Sequence, residues 1–197
     1  MKKILFVLLV LLVSSTVMVY AQYPSKEIRL EFRLYTSPWV PTMSELNTKI
    51  PFGVFGDSPT LDRFEFEFWY LAYSWYLVSS DFTEIGASLK FAPVNREKMK
   101  LTLGIGTAFE FFDGGFSMPL IADFEMMFRL PWILWTGLTI DFLLWGNGMG
   151  LEGFIPIRFL PPKGRFYGGI EPGYAVYLAD GGFFTSWKIA LFAGFRF

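Results

Sequence analysis

The chain has 197 residues, 17 basic and 18 acidic side chains, a formal net charge of −1, no cysteine and no histidine. That balance leaves no electrostatic footprint for a nucleic acid, and the missing residue types exclude a disulfide framework, thiolate chemistry and imidazole-based catalysis. With 53% hydrophobic and 20% aromatic residues, the chain is also too apolar for an ordinary secreted domain.

Lys2 and Lys3, an apolar run over residues 4–13, and Val19, Tyr20 and Ala21 read as a basic region, a hydrophobic core and a small-residue cleavage site. They predict a signal peptide over 1–21 and a mature domain over 22–197. Without the two lysines the chain carries 15 basic and 18 acidic residues, a net charge of −3. No later stretch makes a clean spanning helix: residues 68–78 are too few and residues 130–145 are interrupted by Asp141, against the about 20 apolar residues a bilayer helix needs. A closed β-barrel is the other structure that satisfies every backbone group in lipid.

Ile28, Leu30, Phe32 and Leu34 alternate with Arg29, Glu31, Arg33 and Tyr35, which predicts a strand with one apolar and one charged face. Residues 37–47 carry two prolines and read as a loop, and residues 49–56, with Pro51, Gly53 and Gly56, read as a weak strand or a loop arm. After a turn at 57–60, Phe64, Phe66, Phe68 and Tyr70 oppose Arg63, Glu65, Glu67 and Trp69. This acidic face is expected across from the arginines of the first strand, where opposite charges would help fix register. Next, Ile85, Ala87, Leu89 and Phe91 oppose Glu84, Gly86, Ser88 and Lys90, up to a turn over 92–98.

Residues 99–112 put Leu101, Leu103 and Ile105 out and Lys100, Thr102, Gly104, Gly106 and Glu110 in, and Asp113, Gly114 and Gly115 make a tight turn. Residues 116–130 set Leu120, Phe124 and Phe128 against Asp123, Glu125 and Arg129; residues 133–145 set Leu138, Ile140 and Phe142 against Thr139 and Asp141. Beyond the turn at 146–148, Ile155, Ile157 and Phe159 oppose Glu152 and Arg158. Residues 165–178 hold Glu171 on their inner face.

The last strand, residues 183–197, places Trp187, Ile189, Leu191, Phe195 and Phe197 on one face and Ser186, Lys188, Phe192, Gly194 and Arg196 on the other. Alternation ending on the aromatics Phe195 and Phe197 resembles the C-terminal assembly signal of bacterial outer-membrane β-barrel proteins. The glycine often present near the end of such signals is replaced by Phe192, with Gly194 closer to the terminus. The resemblance implies an outer-membrane location, a lipid bilayer around the barrel and the outer-membrane assembly machinery as a partner.

One apolar face and one face of isolated charges, punctuated by Gly, Pro, Asn or Asp, recur along the chain. That is the pattern of an all-β, closed, antiparallel, up-and-down transmembrane barrel. Counting residues 49–56 as a strand gives ten strands; leaving the first strand out of the wall gives eight. The inward charges Arg29, Glu31, Arg33, Glu65, Glu67, Asp123, Glu125, Arg129, Asp141, Glu152, Arg158, Glu171, Lys188 and Arg196 are expected to interlock as a lumen network. Asp123, Glu125 and Arg129 read as salt-bridged filling in preference to an acid–base pair. Gly104 and Gly106 lie inside a strand pattern, which excludes a phosphate loop; they are expected to make room for bulky neighbours such as Trp69, Tyr73, Trp75 or Trp135. Trp39, Trp132, Trp145 and Trp187 fall near strand ends, where interfacial girdles occur.

The functional expectation is a structural or interaction barrel with a mostly plugged lumen, displaying residues 37–61 outward. A passive channel or carrier for small or apolar molecules is the alternative. No enzyme, cofactor or metal site is expected, and the sequence specifies no ligand.

Overall fold

The computed structural model describes residues 27–37, 42–72, 82–131, 133–161, 164–179 and 182–197. The expected signal peptide and Trp39, Tyr73, Trp75 and Trp132 lie outside the described residues. The strands are β1 (Arg29–Thr36), β2 (Met43–Pro51), β3 (Phe64–Ala72), β4 (Phe82–Arg96), β5 (Met99–Phe112) and β6 (Gly115–Ser117). They continue with β7 (Leu120–Arg129), β8 (Leu134–Trp145), β9 (Gly148–Phe154), β10 (Ile157–Phe159), β11 (Phe166–Ala179) and β12 (Gly182–Arg196).

All pairings are antiparallel, and the sheet closes because β12 pairs with β11 on one side and with β1 on the other, from Arg29 opposite Arg196 to Thr36 opposite Ile189. β6 and β7 both pair with β5, and β9 and β10 both lie between β8 and β11, so each couple is one wall strand with a break. The breaks fall at Pro119 and Pro156, which have no N–H to give the ladder. The result is a closed barrel of ten wall strands.

Two expectations about the wall need correction. The second strand is Met43–Pro51 and not residues 49–56: Glu45, Asn47 and Lys49 alternate with Leu46, Thr48 and Ile50, and a polar inward face looks like a polar loop when sequence alone is read. This strand sits between β1 and β3, so the acidic face of β3 is not directly across from the arginines of β1. Arg29 instead reaches through the lumen to pair with Glu65. Likewise β4 does not turn at Ala92; it passes a register shift between Phe91 and Val94 and runs to Arg96. Pro93 lies inside that irregularity, where a missing ladder N–H is tolerated.

With ten wall strands the first and last residues of the barrel lie at one end, here called the terminus end. The other rim, the far end, carries Thr36, Met43, Ala72, Phe82, Phe112, Trp145 and Gly182. Residues 37–61 do not form one outward display. Part of them is wall, and the 3-10 turns Phe52–Phe55 and Leu61–Arg63 follow β2 at the terminus end, where Asn95 Nδ2 donates to the Asp62 carbonyl at 3.2 Å.

The two faces reverse the arrangement of a water-soluble domain. Phe66, Leu103, Ile105, Leu151 and Leu191 are exposed on the outer face while Arg29, Glu31, Lys49, Lys100 and Arg158 are buried inside. A continuous apolar exterior of this kind is not stable against water. Among the described residues no helix is long and apolar enough to cross a membrane, a fact that bears only on helices.

Candidate functional site: the lumen

Eight ion pairs link nine inward side chains into a series of alternating charge that runs round the lumen, here called the ring. From β7, Asp123 Oδ1 lies 3.3 Å from Lys90 Nζ, Lys90 pairs with Glu67, and Glu67 lies 3.6 Å from Lys49 Nζ. Lys49 is 3.3 Å from Glu31, which is 2.6 Å from an Arg33 Nη atom. Arg33 lies 3.6 Å from Glu171; Glu171 accepts from Arg158 Nε at 2.9 Å; and Arg158 Nη1 lies 2.8 Å from Glu125. Glu125 is two residues from Asp123 on the same strand, so the series circles the barrel and returns to β7.

The wall is built to let this ring close. Between β4 and β7 the register puts Gly104 beside both Lys90 and Asp123, and a Cβ at Gly104 would collide with the Asp123 carboxylate. The absent side chain is what lets Lys90 and Asp123 meet across β5. The room made for a tryptophan is elsewhere than expected: Gly86, not Gly104 or Gly106, faces the Trp69 indole, whose Nε1 donates to Glu84.

Toward the terminus end the ring rests on an apolar plug of Met127, Trp135, Leu160, Tyr167 and Phe192, with Trp135 only 1% exposed. Ring and plug are tied together: Tyr167 Oη donates to Glu31 at 2.9 Å, and the Arg33 and Arg158 guanidinium groups lie 5.6 and 5.9 Å from the centre of the Phe192 ring. The departure from the usual terminal glycine thus has a packing consequence, since Phe192 fills the lumen while Gly194 accommodates the Tyr167 ring. A void of only about 10 Å³ lies near this end, beside Pro51, Lys100 and Thr102.

On the far side of the ring lies a cup of about 460 Å³. Its floor is the ring; its wall carries Glu45, Glu84, Glu110, Asp141 and Glu152 with Tyr35, Trp69, Trp145 and Tyr177; and it reaches the far-end residues Thr36 and Met43. Lys188 Nζ bonds Glu152 at 2.6 Å and Tyr177 Oη at 2.7 Å. Tyr35 donates to Glu45 at 2.6 Å and Trp145 Nε1 to Glu110 at 3.2 Å.

Of the fourteen expected network residues, the ring holds Glu31, Arg33, Glu67, Asp123, Glu125, Arg158 and Glu171, and the plug end holds the Arg29–Glu65 pair. Asp141, Glu152 and Lys188 belong to the cup. Two residues sit elsewhere: Arg129 pairs at 3.2 Å with Glu97 beside the β4–β5 turn and not with Asp123 or Glu125, and Arg196 pairs at 3.2 Å with Glu27. Sequence reasoning misses Glu45 because it places residues 37–47 in a loop, and Lys49 because it reads residues 49–56 as a weak strand or loop arm; the alternation of 45, 47 and 49 is the signal that finds them. Trp145 points into the cup and is not part of a lipid girdle, whereas Trp187 is exposed on the outer face opposite the equally outward Tyr174. Phe195 lies between Phe166 and Phe197, at centroid distances of 5.0 and 4.8 Å.

No protein-family model and no curated protein matches the chain. Among solved structures it is similar to the KdgM porin in complex with disordered oligogalacturonate, with 8% identity, a TM-score of 0.44, and 86% of this chain and 99% of that one covered. Another structure of the KdgM porin gives 7% identity, a TM-score of 0.43 and the same coverage of 86% and 99%. The N-terminal β-barrel domain of Pseudomonas aeruginosa OprF gives 8% identity, a TM-score of 0.38, and 87% and 98% coverage. Likenesses this distant transfer no ligand, partner or activity.

Proposed function

We propose that this protein is an integral, non-enzymatic barrel of a bacterial outer membrane whose lumen is a blind cup: open toward the far end, sealed by the charge ring and apolar plug, and without a steady ion path. The exposed apolar belt supports the bilayer as its solvent, and the strand ending on Phe195 and Phe197 supports delivery by the outer-membrane assembly machinery. The series of ion pairs round the lumen carries the reading. An ion crossing it has to displace one member of a pair whose partner is itself buried, a cost of several kcal/mol per uncompensated charge.

A ten-strand barrel is also near the size that its own side chains fill, while aqueous pores come with far wider barrels. Purified full-length protein in planar bilayers tests this directly. The expected result is no reproducible unitary current above background, and large unitary currents from the unmodified chain overturn the blind lumen in favour of a passive channel.

A further inference from the structure

The cup is chemically lopsided. Glu84 and Glu110 face each other directly across β4 and β5, and Asp141 faces Asp123 on one side and Glu152 on the other. Like charges in directly opposed positions destabilise a sheet, so a wall that keeps them invites a reason. Lys90 reaches Asp123 and Lys188 reaches Glu152. Among the described residues no lysine or arginine lies within 4.0 Å of Glu84, Glu110 or Asp141.

A second observation points the same way. Among the described residues, Asn47, 3% exposed, spends its amide N–H groups on Glu45 and Glu67 and finds no donor for its Oδ1, and Ser88, also 3% exposed, finds no hydrogen-bond partner for Oγ. Both residues line the cup. An orphaned buried acceptor asks for an N–H or O–H.

We infer that the cup binds an organic cation with a flat apolar body, of the aryl-alkyl ammonium class, its charge toward Asp141 and Glu110 and its ring against Trp145 and Tyr177. The rings of Trp145 and Tyr177 lie 6.2 Å apart at an angle of 57°; the Lys188 ammonium already lies 5.4 Å from the Tyr177 ring centre, so the corner offers a bound ligand an aromatic edge contact and the Trp145 face. The cup's 460 Å³ suits a ligand of two or three fused or linked rings. A metal ion is the weaker occupant, since among the described residues no group of three or more ligating side chains converges.

This inference rests on the blind-cup reading, and its test separates the two. Full-length protein in phosphatidylcholine nanodiscs is titrated with 1-naphthylmethylamine, 1-naphthylmethanol and 1-naphthylacetate, with empty nanodiscs as the partition control. The amine is expected to bind saturably and at least about tenfold more tightly than the alcohol, the margin of one hydrogen bond to a charged group, and the acetate not to bind. Asp141→Asn is expected to weaken the amine about tenfold and leave the alcohol unchanged, in a variant shown to be folded by its gel mobility before boiling. Equal binding of amine and alcohol, preference for the acetate, or amine binding unmoved by both Asp141→Asn and Glu110→Gln overturns the inference. Conductance of the same preparation reports on the lumen independently: silence with no amine binding removes the ligand class and keeps the blind cup, and open-channel current removes the blind cup itself.

Discussion

Glu67→Ala cuts the charge ring at an acid with three partners. Glu67 is buried, pairs with Lys49 and Lys90, and accepts from Asn47 Nδ2 at 2.6 Å. Breaking a buried ion pair from one side costs about 3–5 kcal/mol when the remaining charge is left alone. Here neither lysine is left alone, because Lys49 keeps Glu31 at 3.3 Å and Lys90 keeps Asp123 at 3.3 Å. The loss is therefore reduced to weakened pairing of two lysines plus one amide donor without its acceptor, about 2–3 kcal/mol. Urea unfolding in lipid vesicles, read from the loss of the faster unboiled gel band, measures it. Glu67→Gln keeps the Asn47 contact and should fall between wild type and alanine. In a double-mutant cycle, Lys90→Ala should be less costly in the Glu67→Ala background than in wild type. A loss below about 0.5 kcal/mol for Glu67→Ala, within the range of an ordinary surface substitution, refutes the claim that the ring is a mutually dependent unit.

The Arg129–Glu97 pair should show a coupling of no more than about 1 kcal/mol in a double-mutant cycle in the same assay, because Glu97 is 39% exposed and its end of the pair is solvated. Gly86→Leu should displace the Trp69 indole from Glu84, seen as a changed near-ultraviolet circular dichroism signal and a loss of about 1–3 kcal/mol from overpacking. Asp141→Asn should raise stability by about 0.2–1 kcal/mol through relief of two like-charge oppositions, while weakening amine binding. Trp135→Ala empties the centre of the plug and should cost about 3–5 kcal/mol, with bilayer noise rising above wild type if the plug contributes to the seal.

The closed antiparallel barrel was legible because period-two alternation is a local property, and each strand carries it within a few residues of its turns. The contents of the lumen were legible only as a set. Alternation says that Arg129 and Glu125 both face inward, but the height of each along the barrel depends on strand stagger, and stagger places Arg129 at the turn with Glu97 and Glu125 beside Arg158. The strand Met43–Pro51 was misplaced for a related reason: its inward face holds Glu45, Asn47 and Lys49, and its outward face includes Thr48, so contrast between the faces is weak. The breaks at Pro119 and Pro156 were hidden because a proline inside a wall strand leaves the inward and outward sets of its neighbours unchanged.

Stagger also explains why one set of inward charges yields two compartments with opposite properties. At the ring, acids and bases of neighbouring strands fall at the same height, and glycine at 104 opens the gap that lets Lys90 span β5 to Asp123. Above the ring, wall strands β4, β5, β8 and β9 present Glu84, Glu110, Asp141 and Glu152, and Lys188 of β12 answers only the last. A lumen filled solely for stability has no use for that excess, since replacing such carboxylates with amides of the same shape would keep the volume and remove the repulsion. The ring is what makes the excess usable. In the proposed blind cup it would seal the terminus end, give the carboxylates a floor and limit water access from below, so that a cation entering from the far end would meet fixed acceptors and aromatic faces, where its attraction is stronger than in bulk water.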